Sequence, residues 1–589
     1  MRPTLPQLDG WRLDTLRHAA DVARENADAL DGSLDDCSRA VDAAGGWIGK
    51  TKEAAWQRTN EETDHGREVR NLLLRFADDA DDAHRGFEHA VKYVLSQRDH
   101  AVQQGCTVAP DGTVTAPNTE KEGDAGVFQL NIMSGLDEVE RIDTTFGATL
   151  RDVQAQLGAI RDGQQDVTIP GGERRDPDAV VAMLATMTPD QVATFLAGMS
   201  PADVQQLVIA APDKIGNMNG VPFDTRIAAN ELNIRNALAA EERKPDRNQS
   251  RIDQLRRMLA PIPDPAKSDS RTQAIPTDGP GSAAPDNMID RKFVMFSPDG
   301  NGRMIEMVGA MTPGVPGIGV YVPGTGTNLN GSDTNTTAAW NLAHQTKSPI
   351  FLYMEGDFPQ DFGQAADKRW TQEMAPKLVH FGHEVDREVA AHAPGTPVTY
   401  VGHSYGGAIV GTAEQEGLRA DRILHASSAG TGSHSGGWHD PNPNVQRYSM
   451  TAPADPIGAY QSTSQKSLGA DPDTAPGVTR LDTGYYHQDG DGFRRNEPVF
   501  GPNGHGKYWN DPTSDAFQNI VGVIAGGEVT GYVDREILSN HVDAHIGDAN
   551  NWGREIHDVL QGRYWANDNP YGNPHVTINP ELGPRIPVR

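Results

Sequence analysis

Val398-Thr399-Tyr400-Val401-Gly402-His403-Ser404-Tyr405-Gly406-Gly407-Ala408-Ile409-Val410 is the stretch on which the reading of the fold turns. An apolar, β-like run leads into Gly402-His403-Ser404-Tyr405-Gly406, and a small-residue helical run follows. A serine on so tight a strand-to-helix turn needs an unfavourable backbone conformation, and glycines two residues to either side let strand and helix pass closely. Its Oγ is thereby exposed. The free N–H groups and the positive end of the next helix then face any oxygen that develops negative charge beside it. Ser404 is the candidate nucleophile, and the N–H of Tyr405 a candidate oxyanion donor. In a chain with 62 glycines the pentapeptide alone is a weak signal; its flanks and its downstream partners carry the weight.

A nucleophilic serine needs a base within hydrogen-bond reach and a carboxylate to orient that base, and where the serine sits on such an elbow the chain order is Ser, then Asp or Glu, then His. Asp455 ends Tyr448-Ser449-Met450-Thr451-Ala452-Pro453-Ala454 and precedes Pro456, where a strand stops and the chain must turn. His505 lies in the glycine-flanked loop Asn503-Gly504-His505-Gly506-Lys507-Tyr508-Trp509, ahead of a closing helix through Phe517, Ile520, Val521 and Ile524. The rival acid is Asp482, one strand later; the rival bases are His434, His439 and His487. The second oxyanion donor is expected from Tyr321-Val322-Pro323-Gly324-Thr325-Gly326-Thr327-Asn328, as the N–H of Gly324 or of Thr325. This chemistry calls for no metal and no organic cofactor. His541 and His545, with Asp543 between them, lack an evident third metal ligand. Asp299, Asn301 and Gly302 fail as a calcium loop because Val308 stands where a bidentate glutamate is required.

Around these residues the pattern is strand-like at Phe293 to Phe296, Arg303 to Val308, Ile318 to Val322, Ile350 to Met354, Val398 to Val401, Arg422 to Ala426, Val445 to Met450 and Val478 to Leu481. Helical segments separate most of these runs, and Ser297-Pro298-Asp299-Gly300-Asn301-Gly302 joins the first two as a hairpin. Alternation after an opening hairpin means an α/β architecture: a doubly wound, mostly parallel sheet with an antiparallel edge. The segment from Ala429 to Pro443, with Trp438, is expected to face substrate.

The N-terminal part reads differently. Leu16, Ala20, Ala23, Ala27, Leu30, Leu34, Cys37, Val41 and Ala44 alternate spacings of four and three, as do Val69, Leu73, Phe76, Ala80, Ala83, Phe87, Ala90 and Val94: two helical seams. A third helix is expected from about Val127 to Ile160, after a turn-rich stretch at 110–119. Asp176-Pro177, Thr188-Pro189 and Ser200-Pro201 each place a capping residue before proline and so begin three short helices. The expected layout is a helical domain over 1–165, short helices over 166–262, a Pro/Ser-rich linker over 263–290, the α/β domain over 291–530 and a C-terminal extension over 531–589.

At 589 residues and a net charge of −29, from 52 basic and 81 acidic residues, the chain argues against nucleic acid or anionic membrane as a partner. No apolar run approaches a bilayer span, and Met1-Arg2-Pro3-Thr4-Leu5-Pro6 lacks an apolar signal-peptide region. The expected location is cytoplasmic, or exported by a route that reads no such signal. Cys37 and Cys106 fall too far apart on a helical hairpin to be bridged and are expected as free thiols.

Gly45-Gly46-Trp47-Ile48-Gly49 joins the first two helices, and a helical hairpin with Trp47 and Gly49 at its turn resembles the WXG family exported through type VII secretion in actinobacteria. Tyr93 is followed four residues on by Gln97, not by the acidic residue of that family's secretion signal. The hairpin would serve a helical-hairpin partner, self-association or export. Ile215-Gly216-Asn217-Met218-Asn219-Gly220-Val221-Pro222, Pro323-Gly324-Thr325-Gly326-Thr327, Gly402-His403-Ser404-Tyr405-Gly406 and Asp455-Pro456-Ile457 together resemble an actinobacterial α/β-hydrolase family of unknown function, from about Thr188 to Ile524. The resemblance implies an α/β-hydrolase fold after an all-α domain, and a triad of Ser404, Asp455 and His505. The expected activity is a serine hydrolase of esterase or lipase type, acting on a small-molecule or lipid ester. The same residues would serve a thioesterase or acyltransferase, and the other class of reading is a non-catalytic, exported interaction protein.

Overall fold

The computed structural model describes residues 2–43, 50–161, 166–267, 287–433, 437–464, 468–533 and 582–588. They divide into two compact units between Ile215 and Gly216. The Trp47–Gly49 turn and the histidines 434, 541 and 545 lie outside the described residues.

The first unit is built on three long helices: α1 (Asp14–Ala43), α2 (Lys50–Gln103) and α3 (Glu122–Arg161). α2 packs against both of the others, so it buries two stripes. Ala77 and Ala80 meet Ala20 and Ala23 of α1, while Phe87, Ala90 and Val94 pack with Ile132, Leu136 and Val139 of α3. Arg24 of α1 forks to Asp78 (3.2 Å) and Asp81 (2.5 Å) of α2. Asp31 interrupts the apolar seam of α1 and pairs with buried Arg70 at 3.3 Å; Leu34 continues the seam against Gly66 of α2, while Cys37, expected on it, is exposed. The three short helices, α4 (Pro177–Leu184), α5 (Pro189–Ala197) and α6 (Pro201–Ala210), begin where the proline repeats place them. Asp176, Thr188 and Ser200 each accept a main-chain N–H from three residues on. Among the described residues no helix is long and apolar enough to cross a membrane.

The second unit carries an eight-stranded sheet: β1 (Lys292–Ser297), β2 (Arg303–Val308), β3 (Ile318–Val322), β4 (Ile350–Met354), β5 (Val398–His403), β6 (Arg422–Ala426), β7 (Gln446–Met450) and β8 (Val478–Arg480). Their spatial order is β1-β2-β4-β3-β5-β6-β7-β8. β2 is antiparallel to both β1 and β4, and all remaining pairs are parallel. β3 to β6 are buried on both faces, hence their unbroken apolar runs. The faces are covered by α9 (Asp333–Thr346) and α13 (Asp515–Ala525) on one side and α10 (Arg369–His392) and α11 (Tyr405–Gln415) on the other. Gly382 of α10 lies against Tyr400, whereas Gly319, the register partner of Thr399, lies against Ile524 of α13; successive strand positions point to opposite faces. α7 (Phe223–Arg243), α8 (Gln249–Leu259) and α12 (Pro456–Ser464) complete the layers.

This unit begins at Gly216, well ahead of residue 291. The reason is a polar seam along the outer edge of β1. The Asn217 side-chain amide donates to Phe296 O (2.9 Å) and accepts from Phe296 N (3.0 Å), and Asn230 of α7 donates to Phe293 O (3.0 Å). An edge strand otherwise exposes such groups; here two asparagines 60 to 80 residues upstream take them.

Candidate active site

β5 ends at His403, and Ser404 turns the chain into α11 with φ 54° and ψ −119°. The glycines around it are there for space. A Cβ at Gly406 would collide with the carbonyls of Val322 and Pro323, and one at Gly402 would collide with Gly407. α11 therefore starts directly over the end of β3. Gly324, next in the chain after Pro323, comes so close that a Cβ on it would stand 2.7 Å from the Ser404 Cβ.

Asp455 and His505 reach Ser404 from two other loops. Asp455 follows β7 and begins α12, its Oδ1 accepting the Ile457 N–H at 2.9 Å. His505 follows the short helix Gly501–Gly504. Gly501 N donates to Pro453 O at 2.8 Å, which draws the histidine loop onto the aspartate loop. Tyr508 and Trp509 are buried beneath it, and Trp509 stacks on Tyr321 of β3 at 4.6 Å. In the tautomer that satisfies both contacts, His505 Nδ1–H donates to Asp455 Oδ1 at 3.0 Å and Oδ2 at 3.1 Å, and Nε2 accepts from Ser404 Oγ at 3.1 Å. All three residues are buried, Ser404 included where the elbow alone leads one to expect an exposed Oγ: Ser404 is 5%, Asp455 6% and His505 7% exposed. A low local dielectric strengthens such a chain of bonds.

The rivals are engaged elsewhere. Asp482 is buried and its Oδ1 accepts from Gly484 N at 3.2 Å; His439 bonds Gln415 and His487 pairs with Asp515. Trp438, expected to face substrate, does not stand at this end of the sheet. It donates to Pro476 O and lies under the Arg447 guanidinium. Arg447 is the second residue of β7, whereas Ser404 and Asp455 follow the C-terminal ends of their strands.

Among the described residues, the N–H groups of Tyr405, Gly324 and Thr325 have no hydrogen-bond acceptor. The loop after β3 is braced. Thr327 Oγ1 donates to Gly324 O (2.7 Å), Gly326 N donates to Pro359 O (2.8 Å), and Gln360 Nε2 donates to Thr327 O (2.8 Å). Gln360 carries no mark in the sequence, because nothing local ties it to this loop. Nor does the sequence mark a role for His403, whose Nε2–H reaches the main-chain oxygen of His505, 102 residues away, at 2.9 Å. No cluster of metal-ligating side chains occurs among the described residues.

Residues 297–464 match the alpha/beta hydrolase family model. The sheet order, the elbow and this match agree. The second unit has the alpha/beta hydrolase fold. Solved structures similar to this chain include the carboxylesterase EstE1 from a metagenomic library (12% identity, covering 40% of this chain and 87% of that one, TM-score 0.25). An esterase of Pyrobaculum calidifontis (13% identity, 40% and 83% covered, TM-score 0.24) and an arylesterase (12% identity, 50% and 96% covered, TM-score 0.25) are similar to a like degree. Among curated proteins, no significant match is found.

Proposed function

We propose that this chain is a serine hydrolase that cleaves carboxylic esters through an acyl-enzyme on Ser404. The observation that carries the reading is the unbroken run of hydrogen bonds from Ser404 Oγ through His505 to Asp455, at 3.1 and 3.0 Å, beside N–H groups with no acceptor among the described residues. Ser404 Oγ attacks the acyl carbon while His505 Nε2 takes its proton, and Asp455 holds the imidazolium. The carbonyl oxygen becomes an oxyanion facing the Tyr405 N–H at the start of α11. Thr325 supplies the second donor. A trans peptide points its C=O and the following N–H in opposite directions, and the Thr327 hydroxyl holds Gly324 O, which turns the Thr325 N–H away from that bond. Collapse of the intermediate expels the alcohol oxygen with the proton returned by His505, and water repeats the sequence to release the acid.

A fluorophosphonate probe tests the assignment. Labelling of the full-length protein should map to Ser404 and vanish in Ser404→Ala, and Asp455→Asn should lower kcat roughly a thousandfold or more, because an amide donating to Nδ1 leaves the proton on Nε2, where it cannot accept that of Ser404. A folded wild type that takes no label overturns the reading. Hydrolysis rates across esters graded by acyl length then define the substrate.

A further inference from the structure

Two imidazoles meet beside the nucleophile, and the reaction above uses only one. His403 is the last residue of β5, one peptide bond before Ser404. Its ring lies 5.3 Å from the His505 ring, tilted by 43°, and meets Tyr508 and Trp509 edge-on at 6.3 and 5.6 Å. Its Nε2–H donates to the His505 carbonyl oxygen at 2.9 Å.

His505 needs a hold of this kind. Both of its ring nitrogens are committed to Ser404 and Asp455. Its neighbours Gly504 and Gly506 give the loop the widest backbone freedom that residues can have. Among the described residues its own N–H bonds only within its turn, to Pro502 O at 3.2 Å. The Gly501–Pro453 bond and the stacking of Trp509 fasten the loop on either side, but neither ties it to the strand of Ser404; the Oγ–Nε2 separation would follow the play that remains, and proton transfer is steep in that distance.

Resting on the reading of Ser404 as nucleophile and His505 as base, we infer that His403 is a positioning residue: its bond to the His505 carbonyl ties the base loop to the strand that carries the nucleophile. The path from base to nucleophile then runs through one side chain and one peptide bond of a central strand, rather than around the 100-residue excursion between them. His403 suits the task chemically. Burial, and then the neighbouring His505, push its pKa down to about 3, against an upward pull from the bond to the His505 carbonyl. It stays neutral, neither taking the Ser404 proton nor setting a second positive charge beside the imidazolium.

The test compares His403→Gln with His403→Met in the full-length protein. The two side chains are alike in length and flexibility, and only glutamine can donate to the His505 carbonyl. The readouts are the second-order rate of fluorophosphonate labelling of Ser404 and the kcat and KM for an ester the wild type hydrolyses, below the melting temperature of both variants. The expected result is a loss of about tenfold or more in labelling rate and kcat for Met with KM little changed, and substantial rescue by Gln. Equal rates in the two variants, whether both fast or both slow, overturn the clamp while leaving the triad standing. A wild type that takes no label overturns the triad, and the clamp with it.

Discussion

Ser404, Ser427 and Ala454 share a feature that no composition reveals: positive φ values of 54°, 45° and 56° in residues that carry a Cβ. They follow the C-terminal ends of β5, β6 and β7, so three successive parallel strands all leave the sheet through strained turns on the side where Ser404 and Asp455 stand. Such strain persists only where surrounding structure enforces it. For Ser404 the cost is bound up with presenting the hydroxyl. Ala454, immediately before the aspartate, has no reacting group to present, and glycine would adopt its conformation freely. Ala454→Gly should therefore raise stability by about 1 kcal/mol, as read from urea unfolding, with the fluorophosphonate labelling rate retained; a destabilised variant would show that the φ value is not a cost. The three residues of the bonded chain were legible as candidates because each stands on a local signal: the elbow glycines, a strand end before proline, and a glycine-flanked histidine. His403 and Gln360 were not, since their value lies in partners that only folding supplies.

Among the elements, the eight strands of the main sheet were readable nearly to the residue. Fully buried strands leave long apolar runs, and helices between them leave a different period. The edge strand β1 was readable as a strand but not as a covered one. Its cover comes from Asn217, in a loop that the sequence offers only as Gly216-Asn217-Met218-Asn219-Gly220. Asn217→Ala removes two main-chain hydrogen bonds and should cost about 2 kcal/mol, with increased self-association as the freed edge seeks another strand. Unfolding midpoints and light scattering measure the two effects, and an unchanged midpoint would mean that water replaces the amide without loss. Trp438 shows the opposite failure. An aromatic residue in a long loop reads as substrate-facing, yet Arg447 and Pro476 hold it toward the other end of the strands.

For the molecule as a whole, the acidic surplus and two desolvated glutamates, half-buried Glu355 and buried Glu414, act in one direction. Burial raises Glu355, after β4, to about 7 against the weaker pull of Arg226, Lys377 and Arg303, and it raises Glu414 of α11 to about 7 despite the bond to Arg447. An unfolded glutamate titrates near 4.3. Between roughly pH 4.5 and 7 the folded chain thus binds more protons than the unfolded one, and stability falls as pH rises through that window. The net charge of −29 adds self-repulsion with the same sign. Glu355→Gln separates the two effects. It should flatten the stability profile between pH 5.5 and 8 by about 2 kcal/mol, measured by denaturant unfolding at each pH. Profiles that run parallel to wild type would show that Glu355 does not titrate there.

The sequence by itself determined the architecture and the three groups of the bonded chain. Periodicity, capping and turn chemistry are local, and the order Ser, Asp, His is a property of the chain. What only the tertiary structure decided is how those groups are held. Gln360 braces the loop of Gly324, Asn217 closes the sheet edge, and His403 reaches the carbonyl of His505. Each is a contact between residues distant in sequence, whose geometry is fixed by the packing of the sheet and not by any pattern along the chain.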